Sequence, residues 1–171
     1  MSQQNIKSVH PFADAFPMMT DQEMDRLVAD IHQHGQIEPC IVNKDGVLLD
    51  GRNRRAACAH LGIEPRVRYV NPESETAFIL SLNVARRHLT ESQRAALALK
   101  AVPHLKAEAK ERQRTLNNRS LEARGPQARA PQARDLAAQA VGVSGRTVAR
   151  AERVQRDAPE LLEEVTLGNL T

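Results

Sequence analysis

The run Asp50-Gly51-Arg52-Asn53-Arg54-Arg55-Ala56-Ala57 sets three arginines behind one glycine, where a strand pattern gives way to a helical one. Glycine permits a tight turn and close backbone approach there. The helix that follows offers unpaired N–H groups and the positive end of its dipole. Guanidinium groups add fixed charge and bidentate donors. Together these are the parts of a phosphate site. Cations are disfavoured at a helix start, so three arginines in that turn point to an anionic ligand. Local sequence leaves one alternative open, a surface turn in which an arginine pairs with Asp50 or Glu38.

The second run is Asp135 to Arg150, which reads as a helix, a three-residue turn and another helix. Ala138 is small where the helices would cross, Gly142 permits a left-handed turn, and Ser144 is the N-cap of the second helix. At about 100° per residue, Arg146, Arg150 and Arg153 share one face, opposite Val148. A buried anchor with an arginine stripe behind it suits a helix laid in the DNA major groove. On this reading Ser144, Arg146, Thr147, Arg150 and Arg153 form the DNA face, with bases met chiefly by Arg146, Thr147 and Arg150. Arg86, Arg87, Arg94 and the arginines of 119–134 would add phosphate contacts, which position without reading sequence. The alternative is an ordinary helical hairpin with a solvated arginine face.

The charge distribution agrees with a polyanionic partner for the back half. Residues 1–80 carry 8 Lys/Arg against 11 Asp/Glu, whereas residues 86–156 carry 16 against 6. Such an asymmetry marks the second segment as the one that meets nucleic acid. With no Trp, one Tyr and three Phe, the chain has few stacking platforms for single strands. Two cysteines exclude a disulfide framework and a cysteine-rich zinc module, and Cys40 and Cys58 read as small core residues. His32 and His34 face different ways on a helix and make no metal motif. Asp14, Asp21 and Asp25 read as a solvated helix start rather than a nuclease cluster. No stretch has the apolar length of a membrane span, and the N-terminus lacks an apolar signal core.

The elements that would position these residues follow from pattern. Ile6 to Val9, Cys40 to Asn43, Val47 to Asp50 and Arg66 to Val70 are strand-like, with Lys44-Asp45-Gly46 as a hairpin turn. Thr20 and Glu23 form a capping box before a helix that buries Met24, Leu27, Val28 and Ile31 and ends at Gly35 in a left-handed cap. A short helix from about Arg52 to Leu61 stops at Gly62. Asn71-Pro72 opens the next helix, with Phe78, Ile79 and Leu82 inside. Thr90 and Gln93 open a long helix that Pro103 should kink. Residues 119–134 repeat Pro-Gln-Ala-Arg and read as a mobile linker. The expected architecture is α+β, a small mixed domain over 1–85 followed by an all-helical domain over 86–171, with a hinge near 83–90.

The order of these segments resembles the ParB/sulfiredoxin-like domain followed by the helix-turn-helix of ParB-type DNA-binding proteins. Leu27 to Val42, with Gly35-Gln36-Ile37-Glu38-Pro39, resembles the family's first box. Val47 to Gly62 resembles the phosphate-contacting second box, and Leu82-Asn83-Val84-Ala85-Arg86 the third, usually Glu-Asn-x-x-Arg. The resemblance implies a sequence-specific binder of double-stranded DNA in plasmid, phage or chromosome partition, or a related regulator, gated by CTP with Mg2+. It assigns nucleotide contacts to Gly35, Gly51, Arg52, Arg54, Arg55, Asn83 and Arg86, and a metal contact to Asn83. Leu82 stands where an acidic residue usually helps hold the metal, which implies at most a weak CTPase. The resemblance further implies a ParA-like ATPase partner, a homodimer and a cytoplasmic place on nucleoid or plasmid. Two alternatives stand beside it: a CTP-hydrolysing switch, and a sulfiredoxin-like or other phosphotransfer enzyme. In sulfiredoxin the cysteine lies inside the Gly-x-x-Arg turn, which here has none. No dimerisation segment of the usual partition kind follows Thr171, so dimerisation would use other surfaces or a longer chain.

Overall fold

The computed structural model describes residues 6–85, 89–118 and 132–167. They form an α+β chain of two compact units, divided between Glu75 and Thr76. The first unit holds β1 (Ser8–Val9), α1 (Pro11–Asp14), α2 (Asp21–His34), β2 (Cys40–Asn43), β3 (Val47–Asp50), α3 (Arg52–His60) and β4 (Val67–Val70). The second is helical, with α4 (Glu75–Ala85), α5 (Glu91–Asn118), α6 (Ala133–Val141), α7 (Gly145–Asp157) and α8 (Pro159–Leu167).

The sheet order is β1-β3-β2-β4, with β2 and β3 antiparallel and both outer pairs parallel. The hairpin between β2 and β3 is built by Asn43. Its Oδ1 accepts from the backbone N–H of Asp45 at 3.0 Å and of Val47 at 2.8 Å, and Gly46 takes φ 85°. Cys40, Val42 and Leu48 form a core with Ile6, Val9 and Val67. α2 starts on the expected capping box, with Thr20 N–H donating to the Glu23 carboxylate and Glu23 N–H to the Thr20 hydroxyl. Its face of Met24, Leu27, Val28 and Ile31 packs on Ala57, Cys58 and Leu61 of the α3 segment. This contact fixes α3 against α2. Gly35 caps α2 at φ 73° and ψ 171°, a positive-φ extended conformation rather than the left-handed helical cap that the pattern suggests. That region belongs essentially to glycine.

Two boundaries differ from the sequence expectation. The Asn71-Pro72 pair does not open α4, which begins at Glu75. Its start is set by tertiary partners: the Glu108 carboxylate accepts from Thr76 N–H at 2.8 Å and from the Thr76 hydroxyl. The same contacts bind α4 to α5, and the two compact units divide after Glu75, the first residue of α4. α6 begins at Ala133, inside the expected 119–134 linker; residues 119–131 lie outside the described ones. α5 opens on the Thr90–Gln93 box and continues through Pro103 to Asn118. Proline removes one helical hydrogen bond, but Ala98, Leu99, Ala101, Val102 and Leu105 are buried on both sides of it, and such packing supplies most of a helix's stability. Among the described residues, no helix is long and apolar enough to cross a membrane.

Candidate functional site

In the first unit, Gly51 is the N-cap of α3 at φ 100°, with no side-chain capping bond. A Cβ at this position would lie 3.0 Å from Cys40 Sγ and 3.1 Å from Cys40 Cα. Both the conformation and the closeness of β2 therefore require glycine. The turn leaves the first N–H groups of α3 without intrahelical partners, since the first helical bond runs from Arg55 N–H to Gly51 O at 2.8 Å.

The three arginines of this turn have three different environments. Arg54 Nη2 lies 2.7 Å from Asp50 Oδ2, the pairing that local sequence left open. Arg52 Nη1 donates to the carbonyls of Ala13, Asp14 and Phe16 at 3.1, 3.3 and 2.7 Å, and its Nη2 meets Asp14 Oδ1 at 2.8 Å. It ties the segment after α1 to the start of α3. Arg55 is half-buried, and its guanidinium makes no hydrogen bond or ion pair among the described residues. Of the three, it is the guanidinium left for an external anion.

Gln36 is a buried hub that pattern reading missed. Its Oε1 accepts from Arg66 N–H at 2.6 Å, and its Nε2 donates to Glu38 O at 2.9 Å and Arg66 O at 3.1 Å. Its neighbour Gly35 ends α2. Nothing in the sequence around Gln36 separates it from a loop glutamine. The two cysteines sit against this amide, Cys40 Sγ 3.7 Å from Nε2 and Cys58 Sγ 3.5 Å from Oε1. Burial pushes both thiols above the ordinary cysteine value, with Arg54 acting against the shift at Cys40. Both are buried free thiols in the core.

Asn83 lies in the second unit and returns its Nδ2 to Ile79 O at 2.9 Å within α4. Its Oδ1 is the one side-chain oxygen that Leu82 and Asn83 could give a hard cation. Among the described residues, no group of three His, Cys, Asp or Glu could hold a metal. These residues do not fit a Mg2+ site of their own. Arg86 and Arg87 lie outside the described residues.

The second constellation sits on α6 and α7. Gly142 takes φ 67° and ψ 40°, and Val143 N–H reaches back to Ala138 O at 3.0 Å, a Schellman-type end to α6. Ser144 caps α7, its hydroxyl accepting from Thr147 N–H at 3.0 Å. Ala137, Ala138, Val141 and Val148 are buried, and Val148 is wholly inside. Gly145, the first residue of α7, lies against Asp135, whose Oδ1 would be 2.9 Å from a Cβ there. On the opposite face of α7, Arg146, Arg150 and Arg153 are exposed, and their side chains have no ion pair or hydrogen bond among the described residues. The Thr147 hydroxyl also donates to Glu91 Oε1 at 3.1 Å.

Arg94, expected to meet phosphate, has a contact within its own unit. Its Nη1 donates to Val141 O at 3.3 Å, satisfying the C-terminal end of α6, and its Nε is buried without a partner. Arg134 Nη1 lies 3.8 Å from Glu152 Oε2, linking α6 to α7.

No protein-family model matches the chain. The uncharacterized protein ORF326b of Acidianus two-tailed virus is 34% identical over 73 residues, 40% of this chain, and the match spans 22% of that relative's length. A structure of the C2221 form of a pNOB8-like ParB N-domain is similar at TM-score 0.62 and 20% identity, over 97% of this chain and 71% of that one. A second pNOB8-like ParB N-domain structure gives TM-score 0.56 and 21% identity, over 94% of this chain and 66% of that one. The sheet unit with its glycine turn, and the helical unit with its α6–α7 pair, together have the fold of a ParB-type N-domain.

Proposed function

We propose that this chain binds double-stranded DNA sequence-specifically, as a ParB-like partition protein or a related regulator. The observation that carries the reading is α7: Arg146, Arg150 and Arg153 exposed and unpaired on one face, with Val148 buried on the other. A helix held by its apolar side and offering guanidinium groups on its free side matches the donor demand of guanine edges and phosphates in the major groove. Ser144 and Thr147 sit at the end of α7 that would enter the groove. On this reading α6, the Gly142 turn and α7 are a helix-turn-helix, and the protein acts as a homodimer in the cytoplasm, on plasmid or nucleoid DNA, with a ParA-like ATPase. Titration of a duplex pool at several salt concentrations tests it. Affinity should fall with a log–log slope of about −0.9 per neutralised phosphate. A flat response would refute the reading.

A nucleotide in the first unit is a second reading, favoured by the uncapped start of α3 and by Arg55. N–H groups without intrahelical partners at a helix N-terminus and a free guanidinium suit the phosphates of CTP. Arg52 and Arg54 are engaged within the protein, and Asn83 with Leu82 does not make a Mg2+ site. Binding with little or no hydrolysis is the form of this reading that the residues support. Calorimetry with CTP, with and without Mg2+, tests it.

A further inference from the structure

The start of α7 carries a hydrogen-bond chain whose direction can be worked out atom by atom. A carboxylate only accepts, so at 3.1 Å the Thr147 hydroxyl must donate to Glu91 Oε1. With its proton so placed, Thr147 Oγ1 can only accept in its 2.8 Å contact with Ser144 Oγ, and Ser144 is the donor. Ser144 Oγ in turn accepts from Thr147 N–H at 3.0 Å. Both hydroxyl protons are thus committed inside the protein. What Ser144, Thr147 and Glu91 offer outward is lone pairs. Arg146, between Ser144 and Thr147, and Arg150, one turn on, offer only donors, and neither guanidinium has a partner among the described residues.

From this polarity we infer that Glu91, at the start of α5, is a specificity-determining residue of the DNA face, and that with Ser144 and Thr147 it takes the exocyclic amine of cytosine. The inference rests on the DNA-binding reading above. A cluster of acceptors repels phosphate and cannot pair with guanine O6 or N7. In the major groove it matches an amino group, and a carboxylate selects cytosine N4. The arginines supply the complementary preference for guanine. The α7 end therefore reads by opposite polarities at neighbouring positions, and Glu91 adds a repulsive element against wrong sequences as well as an attractive one.

The test is selection of binding sites from a randomised duplex pool by the full chain and by Glu91→Gln, with thermal melting of each. The unaltered protein should select a motif with one position favouring cytosine. Glu91→Gln should lose about tenfold of the discrimination at that position and keep the others, because an amide can donate as well as accept. Glu91→Ala, which removes the group, should lose the same preference. An unchanged motif in both variants would overturn the inference while leaving the DNA-binding reading intact. Loss of preference at every position would also overturn it, since Glu91 would then position α7 as a whole. No selected motif from the unaltered protein would instead refute the DNA-binding reading itself.

Discussion

Arg54 and Asp50 face each other across Gly51, guanidinium to carboxylate at 2.7 Å, with both side chains largely out of solvent. A phosphate in this turn would compete with Asp50 for Arg54. The pair also makes Arg54 a structural residue. Arg54→Ala should cost about 1–3 kcal/mol of stability by leaving the Asp50 charge without this partner. Urea unfolding measures it. Arg55→Ala should leave stability within about 0.5 kcal/mol and weaken any nucleotide binding, a contrast that calorimetry would show.

Gly51→Ala should destabilise the first unit by about 1–3 kcal/mol through backbone strain at φ 100°, with a further loss from the contact with Cys40. A thermal melt indistinguishable from the parent would contradict the geometry. Asparagine, which tolerates positive φ better, should be no rescue because its Cβ meets the same Cys40 backbone.

Arg52→Ala removes donors from the carbonyls of Ala13, Asp14 and Phe16. Hydrogen exchange should accelerate over the segment that follows α1, and stability should fall by about 1–3 kcal/mol. Exchange that stays as slow as in the parent would show that the tether contributes nothing.

The arginines of the second unit should separate into two classes. Arg150→Ala or Arg146→Ala should weaken binding to a selected duplex by about 1–3 kcal/mol with no change in melting. Arg94→Ala should lower the melting temperature instead, because Val141 O loses its donor. Equal losses of DNA affinity and equal melting for all three would erase the distinction.

The two thiols predict a pH effect. Burial raises the folded-state pKa of Cys40 and Cys58, so their contribution to stability is fully present below the unfolded thiol value of about 8.5. It is lost as pH rises from there through the folded values, since the unfolded chain releases those protons more readily. Urea midpoints measured from neutral to alkaline pH should fall in the parent and fall less in Cys40→Ala.

Local signals determined much of this protein. The capping boxes at Thr20 and Thr90, the hairpin at Asn43 to Gly46, and the left-handed turn at Gly142 are set by side chains within a few residues of the backbone they satisfy. The face of Met24, Leu27, Val28 and Ile31, and the arginine stripe opposite Val148, follow from helical period alone. The order of these segments also carried the resemblance to ParB-type chains. Tertiary structure decided which polar groups are free. Arg52, Arg54, Arg55 and Arg94 are chemically alike in the sequence. Three of them are held by partners, two across distant chain, and only Arg55 stays open. The start of α4 likewise waits on Glu108, and the polarity of the α7 end on Glu91. A guanidinium or hydroxyl has no preference until a carbonyl or carboxylate is brought within 3 Å or so of it, and long-range packing alone does that.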